Sequence, residues 1–165
     1  MSELKWLEEY SGQTVEQLLS LEGEYRIDSI VVAFHQAVDQ KAAREGDDAL
    51  NPEECIIVAI EALEAEVNNG GYAQFFLNSS REYAPTIVQA LARIGCPKTA
   101  AITQKAIDAL HLPSLTDEAI EAAMADDTVS EEELNGCDDA YYKSGEDIAG
   151  QLFAFIKKNK DVIRL

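Results

Sequence analysis

Two histidines, three cysteines and several runs of carboxylates are the side chains of this 165-residue chain from which chemistry could be built. His35 sits inside a helical pattern, and we read no metal-pair partner for it. Asp108 and His111 stand three apart, a spacing at which two ligands can share a helical face. A di-metal bundle, however, needs two Glu-x-x-His pairs plus further glutamates, and this chain supplies at most half of one. Cys55, Cys96 and Cys137 are odd in number and form no CxxC, which argues for buried thiols over a zinc site or a disulfide framework. No spacing marks a Cys/His nucleophile pair. Gly70-Gly71 lies in neither a GxxxxGK[ST] nor a GxGxxG pattern, so it does not read as a phosphate loop. No catalytic residue, cofactor or metal ligand is assigned, and the chain reads as a non-enzyme.

The carboxylates are more informative. Asp117, Glu118, Glu121, Asp126, Asp127, Glu131, Glu132, Glu133, Asp138 and Asp139 fall within one stretch. They lack the alternating ligands, central glycine and late glutamate of a calcium loop. Neighbouring acids on a helix point in different directions, which suits the coating of a surface better than a metal cage. Between Lys105 and Lys143 there are eleven acids and no base; between Arg44 and Arg81 there are eight acids and no base. Asp47, Asp48, Glu53 and Glu54 of the second stretch are secondary acidic candidates.

Overall, 13 Lys and Arg face 31 Asp and Glu, a net charge of −18. Such a field repels nucleic acid and anionic membranes and attracts basic proteins. Direct nucleic-acid binding fails on charge, but imitation of nucleic acid does not. Duplex DNA carries one charge per about 1.7 Å of axis, so 18 charges correspond to about 31 Å of duplex. A compact domain of this length is about 40 Å across, a comparable linear density.

The elements that must position these groups read as helices throughout. Thr14 caps a short segment, and a longer one runs from about Glu24 to Arg44 on Ile27, Ile30, Val31, Phe34 and Val38. Asn51-Pro52-Glu53-Glu54 is a helix start, followed by Ile56, Ile57, Ile60, Leu63 and Val67 on one face. Asn68-Asn69-Gly70-Gly71 stops that helix, and Tyr72 to Leu77 suits a short second one. Ser79 with Glu82 resembles a capping box. Further stripes follow on Ile87, Val88, Leu91 and Ile94, on Ile102, Ala106, Ile107 and Leu110, and from about Gly145 to Asn159. Thr116 caps a short acidic helix, and Ser130 precedes three glutamates that suit a helix N-terminus. Period-two alternation is absent. The expected architecture is an all-α, single-domain bundle of about eight helices over residues 1–165. The acidic N-terminus and the lack of a roughly 20-residue apolar run point to a cytoplasmic protein without a membrane span.

The segment Glu66-Val67-Asn68-Asn69-Gly70-Gly71-Tyr72, with Gln74-Phe75-Phe76 and Asn78-Ser79-Ser80, resembles the signature of a bacterial all-helical family of DNA-mimic proteins. Supporting matches are Ala84-Pro85, Ala90-Leu91 to Ile94-Gly95, Asp138-Asp139 to Tyr142, and Glu146-Asp147. The resemblance spans residues 50 to 160. It implies a helical fold, a homodimer, and binding to a basic helix-turn-helix transcription regulator in place of its operator. An immunity role against a basic toxin such as a nuclease is the alternative. A small-ligand site or enzyme built on Asn68, Asn69, Tyr72 and Gln74 is a further one. On the residues themselves the segment reads as a joint. Gly70 or Gly71 takes a left-handed conformation, Asn68 and Asn69 satisfy loose backbone groups, and the aromatics refill the core.

Overall fold

A computed structural model describes residues 2–165. Among them there are eight α-helices: α1 (Val15–Leu19), α2 (Ile27–Glu45), α3 (Pro52–Leu77), α4 (Ile87–Arg93), α5 (Pro97–Asp108), α6 (Asp117–Ala125), α7 (Glu131–Lys143) and α8 (Ile148–Lys158). Two 3-10 turns, Asp47–Ala49 and Ser79–Tyr83, complete the order. Extended pairing among the described residues is limited to isolated bridges from Tyr25 to Lys5 and Glu22. The protein is all-helical, as its periodicity requires. No described helix is long and apolar enough to cross a membrane.

Backbone contacts divide the chain into two compact units, Met1–Glu61 with Asp147–Leu165, and Ala62–Glu146. In the first unit α2 packs against α8 and α1. Its buried apolar residues include Ile30, Val31, Phe34 and Val38 of α2, Ile57 and Ile60 of α3, and Leu152 and Ile156 of α8. Thr14 forms the expected cap, in a reciprocal box with Gln17. Asn51 does the same for α3: its Oδ1 accepts from Glu54 N–H, and Glu54 Oε1 accepts from Asn51 N–H. The Glu54 carboxylate is fully buried. It also accepts from Lys41 Nζ at 2.9 and 3.0 Å and from the Arg164 N–H at 2.9 Å, while Lys41 Nζ donates to the Arg164 carbonyl. Every charge in this cluster is thereby paired, which is what makes its burial tolerable.

In the second unit α5 packs against α4 and α7, and α6 against the Ser79–Tyr83 turn. Tyr72, Phe75, Phe76, Ile87, Leu91 and Ile120 are fully buried there. The Ser79–Tyr83 segment is a 3-10 turn without a side-chain cap, so the capping box read at Ser79 and Glu82 does not form. Helix α4 begins after Pro85, at Ile87. Thr116 and Ser130 accept from Ala119 and Glu133 N–H and cap α6 and α7, while in the first unit Asp147 accepts from Gly150 N–H and caps α8. Glu146 caps α5 from a distance, accepting from Lys98 N–H, Thr99 N–H and Thr99 Oγ1. Burial pushes the Glu146 carboxyl up, but the bonds from Thr99 and Lys98 outweigh it and hold it below its ordinary range.

Three readings of single residues are corrected. Cys55 is exposed; only Cys96 and Cys137 are buried thiols. His35 does have a carboxylate neighbour, Asp39, one helical turn on, with Nε2–Oδ2 at 2.9 Å. Asp108 ends α5, and His111 lies beyond it at φ 53, so the two share no helical face.

Candidate protein-interaction face

Helix α3 is interrupted at Gly70 (φ −154, ψ 16) and Gly71 (φ 78, ψ −174). Gly71 has the positive φ expected of a joint, but its ψ places it in an extended, glycine-only region and not in the left-handed helical one. The helix resumes at Tyr72, whose N–H would otherwise lack a helical partner. Asp138 of α7 supplies one: its Oδ1 accepts from Tyr72 N–H at 2.7 Å. A Cβ at Gly71 would collide with that same carboxylate. Glu66 Oε2 accepts from Gln74 Nε2 and Asn78 Nδ2, both at 2.8 Å, and so ties the helix together across the break.

The aromatic part of the motif is core. Tyr72 packs edge-on against Tyr141 and pairs its hydroxyl with Thr103 at 2.7 Å. Burial pushes the Tyr72 hydroxyl pKa far up, so it stays protonated. Tyr141 donates to Glu64, and Tyr142 to the Val67 carbonyl. Asn68 and Asn69 are exposed. The groups that close the joint are Glu66, Gln74, Asn78 and Asp138, not these two asparagines.

The acidic residues read from the sequence divide by burial and by pairing. Glu54 is withdrawn from any partner-binding role by complete burial against Lys41. Asp138 is half-buried and turned onto the joint, so it serves Tyr72 and not a partner. Asp117 and Glu121 are exposed, but Arg81 reaches both, at 2.9 and 3.5 Å. Glu118, Asp126, Asp127, Glu131, Glu132, Glu133 and Asp139 are exposed and, among the described residues, make no ion pair. Asp47 and Asp48 are exposed in the Asp47–Ala49 turn, and Glu53 is half-buried.

Local sequence explains where these carboxylates sit. Asp117 and Glu118 occupy the first turn of α6, and Glu131, Glu132 and Glu133 that of α7. Acids there offset the partial positive charge of the helix N-terminus. The structure brings Asp126, Asp127 and Glu131 around one hollow of about 230 Å³, floored by Ala73 and Leu77 of α3, Met124 of α6 and Leu134 of α7. No group of three or more His, Cys, Asp or Glu side chains among the described residues is placed to hold a metal ion. Composition gave no sign of Arg81 as a neutraliser or of the hollow, since both depend on elements distant in the chain.

The sequence model of a family described as DMP19-like protein matches residues 48–159. That span contains the joint, Arg81 and all of the 117–139 acidic stretch. Neither a curated protein nor a solved structure matches the chain.

Proposed function

The chain belongs to the DMP19-like protein family, a membership that points to a DNA-mimic-type protein, and on that footing we propose that it blocks operator binding by a basic helix-turn-helix transcription regulator. It does so by occupying the regulator's DNA-binding surface. Carboxylates take the positions of the phosphates that the regulator's Lys and Arg side chains contact on DNA. The observation that carries this reading, beside membership, is the uncompensated acidity of the second unit. Seven exposed carboxylates between Glu118 and Asp139 have no ion-pair partner there. The protein acts by binding alone, in the cytoplasm and as a homodimer, with no catalytic step, cofactor or metal.

The test is affinity capture from the native host with mass spectrometry, followed by operator competition in a mobility-shift assay. The expected result is capture of a basic regulator and stoichiometric release of its operator. A regulator that still holds its operator at saturating protein overturns the mimic mechanism. Capture of a basic nuclease instead would transfer the same electrostatics to an immunity role.

A further inference from the structure

The hollow between α3, α6 and α7 combines two properties. Its floor is apolar, formed by Leu77, Met124 and Leu134, and its rim carries Asp126, Asp127 and Glu131. Leu77 is 54% exposed, one of few large apolar side chains left open to water. None of the three rim carboxylates has a cation partner among the described residues, and no Lys or Arg lies between Lys105 and Lys143 to provide one locally. At about 230 Å³ the hollow falls below the roughly 300–1,000 Å³ of small-molecule sites, so it suits one side chain and not a cofactor.

An apolar floor under an acidic rim matches one type of side chain, a long aliphatic stem ending in a cation. Lysine and arginine both lay their stems on apolar surface and keep their heads in polar surroundings. Arginine fits better here, because its planar fork can engage two carboxylates at once and is more weakly hydrated than an ammonium. We propose that this hollow is the anchor point for a single arginine side chain of the partner protein. This rests on the mimic reading for the identity of the partner, but not for the chemistry of the site. It adds shape recognition at one position to the charge of the acidic face. Phosphates on real DNA offer no such apolar floor.

The proposal is tested with N-acetyl-arginine amide, N-acetyl-lysine amide and sodium chloride, titrated into protein labelled at its methionine and leucine methyls. The expected result is a saturable shift confined to Met124, Leu77 and Leu134 with the arginine probe, and binding several-fold weaker with the lysine probe. The Asp126→Asn/Asp127→Asn/Glu131→Gln protein should bind the arginine probe about tenfold more weakly, the factor expected from losing a charge-assisted hydrogen bond. Leu77→Lys, which supplies a cation from the exposed end of α3, should abolish the shift while the helical circular dichroism is retained. Shifts that are unsaturable, reproduced by sodium chloride, or unchanged in Leu77→Lys overturn the proposal. Because no regulator is present, this outcome is separable from operator competition. An arginine-binding hollow in a protein that leaves operator complexes intact would refute the mimic reading alone.

Discussion

Asp138 and Tyr72, separated by 66 residues, meet at the break in α3, where the carboxylate accepts the first N–H of the resumed helix at 2.7 Å. The same carboxylate fills the space that a side chain at Gly71 would need. One contact thus explains both the glycine and the acid.

Replacing Asp138 with Ala should destabilise the protein by about 0.5–2 kcal/mol, the range for a lost helix cap. Asp138→Asn should retain most of the stability, because its amide oxygen can still accept. Gly71→Val should cost more than either, since about 1–3 kcal/mol of backbone strain adds to the collision with Asp138. Urea denaturation of the three variants checks the order. A Gly71→Val protein as stable as the parent would remove the joint from its structural role and favour a ligand site there.

Lys41→Met should be among the most damaging single substitutions outside the apolar core. It strands the fully buried Glu54 carboxylate, and breaking a buried pair from one side costs about 3–5 kcal/mol. Adding Glu54→Gln should recover part of that loss, because the amide still accepts from Asn51 or Arg164 N–H without a buried charge. A double variant less stable than Lys41→Met would contradict the pairing argument.

Stability should also fall with mild acidification, through His35. Burial lowers its pKa below the ordinary 6.5, with Asp39 pulling the other way. The folded protein therefore binds fewer protons than the unfolded chain at acid pH. The contribution is fully present above about pH 6.5 and is lost as pH drops through the lowered value. Denaturation midpoints measured between about pH 7 and pH 5 should decline in the parent and be flatter in His35→Gln. Equal slopes would assign the decline to other groups.

Binding to a captured regulator should weaken steeply with salt, and chiefly in the on-rate. Neutralising Glu131, Glu132 and Glu133 to Gln should slow association on the order of tenfold at low ionic strength. Stability should change by no more than about 1–2 kcal/mol, since lost favour with the helix N-terminus is offset by relieved repulsion. The matched control is Glu3, Glu8 and Glu9, exposed residues outside the acidic stretch; Glu16 and Glu22 are unsuitable because Lys160 and Lys157 engage them. Equal slowing in both sets would mean that net charge acts alone.

How much of this was legible beforehand follows the range of the interactions. Helix periodicity, the caps at Thr14, Asn51, Thr116 and Ser130, and the acids in the first turns of α6 and α7 depend on residues three or four apart. Local order along the chain therefore determines them, and they could be read directly. The His35–Asp39 pair has that spacing too and is legible in the same way. The joint was legible as a break, because two adjacent glycines weaken a helix; Asn68 and Asn69 nonetheless keep helical geometry, and only Gly70 and Gly71 depart from it. Its closure was not, since Asn68 and Asn69 look suited to the task that Asp138 performs from another helix.

Residue order alone dictates that this protein is helical and strongly acidic, and where the acids cluster along the chain. Which of those acids stay exposed and unpaired is a matter of the tertiary fold. It buried Glu54 against a lysine 13 residues away and a backbone 110 residues away, turned Asp138 inward, and placed Arg81 on Asp117. It also set Asp126, Asp127 and Glu131 around an apolar hollow. A carboxylate's charge belongs to its residue type, whereas its desolvation and its counter-ions depend on what the fold brings beside it.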